Sequence, residues 1–277
     1  MNYLQAIVLG FVQGLTEFLP ISSTAHLRIV PALLGWADPG AAFSAIIQIG
    51  TTTAVIAYFA RDLWAIARDT ALGIVRRKPF ETANARLGWF IVLGTVPIGI
   101  AGVALKGFIE GPFRSLYVIA AAAIGLACLL LVSERLARHD RPIGELRLKD
   151  AIVIGVAQAF ALIPGASRSG VTLTAGLFTG LTREAAARYS FLLSVPATLA
   201  AGVFELRHLA EETSPLQVGP LAVGTLVSFV FGIAAIAWML KFLRTHTTMV
   251  FIVYRIALGI LILGLVGAGC LMPFEGS

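Results

Sequence analysis

The chain is predicted to be an all-α integral membrane protein with about six transmembrane helices and two re-entrant helical hairpins, built as an inverted-topology repeat. Three observations carry that prediction: the composition, the spacing of the apolar stretches and the placement of the charges. Of the 277 residues, 58% are hydrophobic and 13% charged, whereas a soluble domain has about a quarter of its residues charged. Too few polar side chains remain to cover a globular surface. The same arithmetic excludes a disordered chain, a disulfide scaffold and a nucleic-acid-binding protein. The net charge of +6 therefore speaks first of orientation in the membrane rather than of an anionic partner.

A transmembrane helix needs about 20 apolar residues. Six stretches reach that length, at 41–60, 88–108, 115–134, 186–205, 219–240 and 248–270. Two further apolar stretches, 4–34 and 151–181, are interrupted. The first is broken at Pro20-Ile21-Ser22-Ser23-Thr24-Ala25-His26 and the second at Pro164-Gly165-Ala166-Ser167-Arg168-Ser169-Gly170, which leaves each half too short to cross. The basic stretches 61–86 (Arg61, Arg68, Arg76, Arg77, Lys78, Arg86) and 135–150 (Arg135, Arg138, Arg141, Arg147, Lys149) are expected in the cytoplasm. If 151–181 crossed the membrane, Arg183, Arg188, Lys241 and Arg244 would lie outside. A re-entrant hairpin returns them to the cytoplasm and puts Glu205, Arg207, Glu211 and Glu212 outside, so the hairpin is the better fit. By the same count 4–34 re-enters from the outer face. The N-terminus has no basic n-region and no small-residue cleavage site, so the first segment is expected to stay in place.

The single membrane domain, 1–277, divides into a first repeat over 1–140 and a second over 151–272. Gly10-Phe11-Val12-Gln13 aligns with Gly155-Val156-Ala157-Gln158, and Pro20 with Pro164 after one residue of slippage. Tyr117-Val118-Ile119-Ala120 aligns with Tyr254-Arg255-Ile256-Ala257. With the order of elements the same and the starting sides opposite, the two hairpins should meet near the midplane, where irregular backbone must line protein or a water-filled cavity. A site is predicted there. Cys128 and Cys270 fall in apolar runs and are expected to be buried, structural residues.

Glu17 stands alone in an apolar stretch, four residues after Gln13 and on the same helix face. An ionisable group at that depth is a functional candidate by default. Ser22, Ser23 and His26 follow within nine residues, and a hydroxyl, an imidazole and a carboxylate are the parts of an activated nucleophile. Ser22, Ser23 and Thr24 can equally cap a helix over 25–34. The division expected is Ser22 for the cap and Ser23 for the chemistry. In the second break, Arg168 offers a fork suited to phosphate oxygens, Ser167 and Ser169 offer hydroxyls, and Gly165 and Gly170 let the backbone approach a ligand. A buried arginine that merely balances Glu17 is the structural alternative. Together these groups point to phosphoryl chemistry on a lipid-linked substrate.

Gln13-Gly14-Leu15-Thr16-Glu17-Phe18-Leu19-Pro20-Ile21-Ser22-Ser23-Thr24-Ala25-His26-Leu27 and Pro164-Gly165-Ala166-Ser167-Arg168-Ser169-Gly170 resemble the two signature regions of the undecaprenyl-diphosphate phosphatase, or bacitracin-resistance, family. The motifs occur in order, and length and span pattern agree over essentially the whole chain. The resemblance implies a multi-pass enzyme of the bacterial plasma (inner) membrane that hydrolyses undecaprenyl diphosphate to the monophosphate. That reaction recycles the carrier lipid for peptidoglycan synthesis and confers bacitracin resistance, with the active site open to the extracytoplasmic side.

Carried over by position, Glu17 matches the essential glutamate, Ser23 and His26 the nucleophile and its partner base, and Arg168 with Ser167 and Ser169 the diphosphate-binding motif. Ser22, Thr24, Gly165, Gly170 and Gln13 complete the expected substrate contacts. The family's Glu/Gln-x-x-x-Glu motif opens here with Gln13, which can neither act as a base nor carry charge to a metal. A divalent cation, Mg²⁺, would therefore touch Glu17 at most and be held largely by substrate phosphates. In the expected mechanism His26 takes the proton of Ser23, which attacks the terminal phosphorus while Glu17 orients His26 or the metal. Direct attack by a water that His26 activates is the variant. The rival function is a transporter or flippase of polyprenyl phosphates, because broken helices in an inverted repeat also build carriers. The partners expected are the lipid substrate, the bilayer and a second copy in a homodimer, with no nucleic acid.

Overall fold

The structure is a computed structural model and describes residues 1–38, 40–105, 107–108, 113, 115–209 and 218–272. Among them are eleven α-helices and no strand: α1 (Tyr3–Thr16), α2 (Ser23–Leu33), α3 (Gly40–Tyr58), α4 (Ala60–Val75), α5 (Ala83–Ala104), α6 (Leu116–Leu136), α7 (Leu148–Ala159), α8 (Arg168–Phe178), α9 (Arg183–Leu209), α10 (Val218–Leu243) and α11 (Met249–Gly267). Four of them, α5, α6, α10 and α11, are each long and apolar enough to cross a membrane. α3 and α4 qualify together as a fifth, bent by 75° between Tyr58 and Ala60. The chain is a multi-pass membrane protein.

Two expectations change here. The basic stretch 61–86, expected as a cytoplasmic loop, is helical over its first part, Ala60–Val75. The predicted span 186–205 lies within α9, which opens on Arg183, Glu184 and Arg188 and carries Ser190, Ser194 and Thr198 further along. Three of those groups, Ser190, Ser194 and Thr198, are buried. Cys128 and Cys270 are exposed rather than buried, as free thiols on the apolar outer surface.

The basic segments gather at one end of the bundle. Arg188 donates to Asp62 at 2.8 Å, Arg244 to Glu184 at 2.7 Å and Arg141 to Asp150 at 2.6 Å. Glu134 receives both Arg183 and the Thr248 hydroxyl. At that end the backbone of Arg141 pairs with Gly180 and Thr182, so α7 and α8 leave and return to the same place. Glu205, Arg207, Glu211 and Glu212, expected at the opposite end, lie outside the described residues and side chains.

Corresponding helices find corresponding partners. α1 packs on α10 and α7 packs on α5. Each crossing is a contact of backbones that only glycine permits. A methyl group on Gly10 would lie 2.4 Å from the Gly224 carbonyl oxygen, and one on Gly155 would lie 2.7 Å from the Gly94 Cα. Inside this frame the core is aliphatic and aromatic, with Ile47, Leu130, Ile154, Leu177, Tyr189 and Leu192 among the fully buried side chains.

Gly10→Ala and Gly155→Ala should each force a helix pair apart and cost about 1–3 kcal/mol by overpacking. Thermal unfolding of detergent-solubilised protein should show both midpoints falling by several degrees. Gly125→Ala, where an added methyl group meets nothing within 4 Å, should leave the midpoint unchanged.

Candidate active site

Each broken segment stops one helix and starts another by the same device. Ser22 (φ 74°) and Ser167 (φ 66°) both have positive φ, a sparsely populated conformation for a residue with a Cβ. The Ser22 hydroxyl accepts from the Ala25 amide at 3.4 Å and that of Ser167 from the Gly170 amide at 3.2 Å, capping α2 and α8 respectively. The chain therefore turns sharply, and both helices begin at the wall of one cavity of about 160 Å³. A helix start presents unpaired amides and the positive end of its dipole, so two of them converging make a place for an anion.

Glu17 is the hub. It lies just after α1 and is 8% exposed. Its Oε2 accepts from Gln13 Nε2 at 3.0 Å and from the Ser23 hydroxyl at 2.7 Å. Its Oε1 accepts from Gln48 Nε2 at 3.3 Å and forms an ion pair with the Arg168 guanidinium. The Arg168 fork also reaches the Ser194 carbonyl oxygen at 3.4 Å. A carboxylate from the first break thus joins the hydroxyl of α2 to the guanidinium of α8.

The predicted residues separate around this hub. Glu17, Ser22, Ser23, Thr24, Gly165, Ser167 and Arg168 line the cavity, whereas Gln13, His26, Ser169 and Gly170 are not among its lining residues. Ser169 instead donates to the Leu19 carbonyl oxygen at 2.9 Å and ties the two breaks together. Gly165 has φ +88° and packs so closely that a methyl group there would lie 2.4 Å from the Ile119 carbonyl oxygen. It is required by the turn and the packing as well as by any ligand.

His26 departs from expectation. Its Nδ1 lies 2.7 Å from the Ser22 carbonyl oxygen, which can only accept, so Nδ1 carries the proton. Nε2 is then the one basic nitrogen of the neutral ring, and it accepts from the Tyr254 hydroxyl at 2.5 Å. The imidazole and phenol planes lie within 9° of one another. The expected Ser23–His26 contact is replaced by the Ser23–Glu17 hydrogen bond, because α2 turns residues 23 and 26 to different neighbours.

Residues 6–261 match the family model described as bacitracin resistance protein BacA. The chain belongs to the BacA family. It is 62% identical to the undecaprenyl-diphosphatase of Myxococcus xanthus over 277 residues, covering 100% of this chain and 93% of that protein. It is 54% identical to the undecaprenyl-diphosphatase of Chlorobaculum tepidum over 282 residues, covering 99% of this chain and 100% of that one. The undecaprenyl-diphosphatase of a Nocardioides species is 52% identical over 269 residues, covering 97% and 98% respectively.

In this BacA family member, Gln48, Ser194, Tyr254 and Arg255 shape the site without being singled out in the sequence. Gln48 and Arg255 each break an otherwise apolar span, the signal that marks Glu17. Ser194 contributes only a carbonyl and Tyr254 resembles an interfacial aromatic, so neither has such a signal. A divalent cation does not fit this donor set as a protein-held ion. Among the described residues Glu17 is the only acid lining the cavity, all four of its acceptor positions are occupied, and no group of three metal-ligating side chains gathers.

Arg168→Gln leaves a buried carboxylate without its cation and should destabilise the protein by about 3 kcal/mol. The Glu17→Gln/Arg168→Gln double variant removes both charges and should recover most of that loss. Thermal unfolding of the two variants measures the coupling.

Proposed function

We propose that the chain hydrolyses undecaprenyl diphosphate to undecaprenyl phosphate and inorganic phosphate. The observation that carries this reading is the Ser23 hydroxyl donating to Glu17 while the opposite oxygen of Glu17 holds Arg168. A potential nucleophile, a base and a phosphate-binding cation are joined through one carboxylate, in a family whose relatives above are named for this reaction. A carrier of polyprenyl phosphates would not need a hydroxyl poised on a carboxylate, and the phosphatase is preferred for that reason.

The diphosphate enters between the two helix starts and competes with Glu17 for the Arg168 guanidinium, which can grip two phosphate oxygens. Glu17, released from its cation, becomes the stronger base for the Ser23 proton. The Ser23 oxygen attacks the terminal phosphorus. An O–P bond forms, the bond from that phosphorus to the bridging oxygen breaks, and undecaprenyl phosphate leaves. Water then attacks the phosphoserine, releases phosphate and returns the proton to Ser23. His26 holds the Ser22 turn through its Nδ1 proton and is a positioning residue in this scheme. Mg²⁺, if the reaction uses it, arrives on the substrate phosphates.

We infer the membrane arrangement on the same footing. Segments 4–34 and 151–181 are re-entrant hairpins of an inverted repeat with six spans, and the cavity opens to the extracytoplasmic side of the bacterial inner membrane. The return of α7 and α8 to one end, the shared basic end and the paired glycine crossings support it. Hydrolysis at that face would recycle the peptidoglycan carrier lipid and lower sensitivity to bacitracin.

Purified protein in detergent should release phosphate from undecaprenyl diphosphate, and correctly folded protein that releases none would overturn the phosphatase reading. Glu17→Gln should lower kcat by more than about 1,000-fold, as loss of a general base can. His26→Asn retains a donor for the Ser22 carbonyl and should keep at least about ten times more activity than Glu17→Gln, by the same scale. Equal losses would restore His26 as the base.

A further inference from the structure

Arg255 is a cation in the middle of α11, 1% exposed and among the largest fully buried side chains of the molecule. Among the described residues its partners are backbone carbonyls. NH1 donates to Pro20 at 3.2 Å, NH2 to Gly165 at 3.1 Å and to Ala166 at 2.9 Å, and Nε to Ala123 on α6 at 3.2 Å. One planar group therefore holds the chain just before the Ser22 turn and just before the Ser167 turn. Burying a guanidinium against neutral carbonyls is expensive, and a neutral donor could satisfy any one of them at less cost. What a neutral donor cannot do is reach both breaks and α6 from one rigid fork.

Two neighbours fit that role. A methyl group on Gly170 would lie 2.5 Å from Arg255 NH1, so this glycine of the second motif makes room for the guanidinium. The preceding residue, Tyr254, donates to His26, which in turn holds the Ser22 carbonyl. Adjacent residues of α11 thus grip the first break at Pro20 and at Ser22.

We propose that Arg255 is a positioning residue that fixes the separation of the nucleophile-bearing break from the phosphate-binding break. It touches neither substrate nor Ser23. It sets where Ser23 and Glu17 stand relative to Arg168, and through them the line of attack on phosphorus. The inference rests on the phosphatase reading, because that reading makes this separation matter to the rate. It also reassigns Gly170 from ligand approach to arginine approach.

The test compares Arg255→Lys, Arg255→Gln and Gly170→Ala with wild-type protein in detergent, using undecaprenyl diphosphate, steady-state kinetics and thermal unfolding. Lysine keeps the charge without the fork, so Arg255→Lys should lose kcat on the order of 100-fold, the effect of an ångström of misplacement. Its KM should stay within about threefold of wild type, because Arg168 is still present to bind phosphate. Gly170→Ala pushes the guanidinium from the opposite side and should show a smaller loss of the same kind. Wild-type kcat in folded Arg255→Lys or Arg255→Gln overturns the proposal, as does a parallel rise in KM that accounts for the whole loss. If neither Arg255 variant folds and folded Gly170→Ala keeps wild-type kcat, the residue serves stability alone and the proposal is equally overturned. Wild-type protein that releases no phosphate contradicts the phosphatase reading itself, a result distinct from these.

Discussion

Hydrocarbon offers no water to an unpaired carbonyl or carboxylate, so a chain that interrupts its helices inside a membrane must satisfy every exposed backbone group from its own side chains. The proposed re-entrant arrangement places the two breaks of this chain under that constraint. Ser22 and Ser167 cap the restarted helices, Ser169 takes up the Leu19 carbonyl, and Arg255 takes up those of Pro20, Gly165 and Ala166. These groups also bring the breaks against one another. The arrangement that closes the backbone accounts is therefore the one that assembles the site.

The same constraint governs Glu17. A buried carboxylate requires partners, and it has four, from α1, α2, α3 and α8. In a BacA family member this means that the resting site is neutralised internally. In the proposed mechanism an entering diphosphate exchanges one anion for another on Arg168, and the exchange frees the base at the moment the phosphate arrives. A protein-held metal would have to displace these contacts. Gln13, standing where the family motif admits glutamate, donates to Glu17 instead of adding a second negative charge.

Much of this was legible in the sequence, and for identifiable reasons. Glu17, Ser23 and Arg168 stood out because polar groups in apolar runs are rare and costly, and the structure places them around one cavity. The helical class and the broken segments followed from stretch length and from Pro20 and Pro164. The partner of Ser23 was not legible. Residues 17, 23 and 26 are near in sequence, but their partners are set by how α2 packs, which places His26 against Tyr254 and leaves Ser23 facing Glu17. Gln48 and Arg255 carried the same signal as Glu17 but lay in stretches that already read as complete spans. α4 was hidden for the opposite reason, since an amphipathic helix carrying Arg61, Asp62, Arg68 and Asp69 and a charged loop have similar composition. The long-range pairings, Gly10 with Gly224 and Gly155 with Gly94, depend on which helices cross, and local sequence does not encode that.

The central claim is that Ser23, activated by Glu17, forms a covalent bond to phosphorus. It is tested most directly by mixing the protein with undecaprenyl diphosphate labelled in its terminal phosphate, quenching in acid within a turnover, and locating the label by mass spectrometry. The account predicts a phosphoryl group on Ser23 in wild-type protein and none in Glu17→Gln. Full turnover by wild-type protein with no phosphoserine at any quench time, together with residual turnover in Ser23→Ala, would show that water attacks directly and would contradict it.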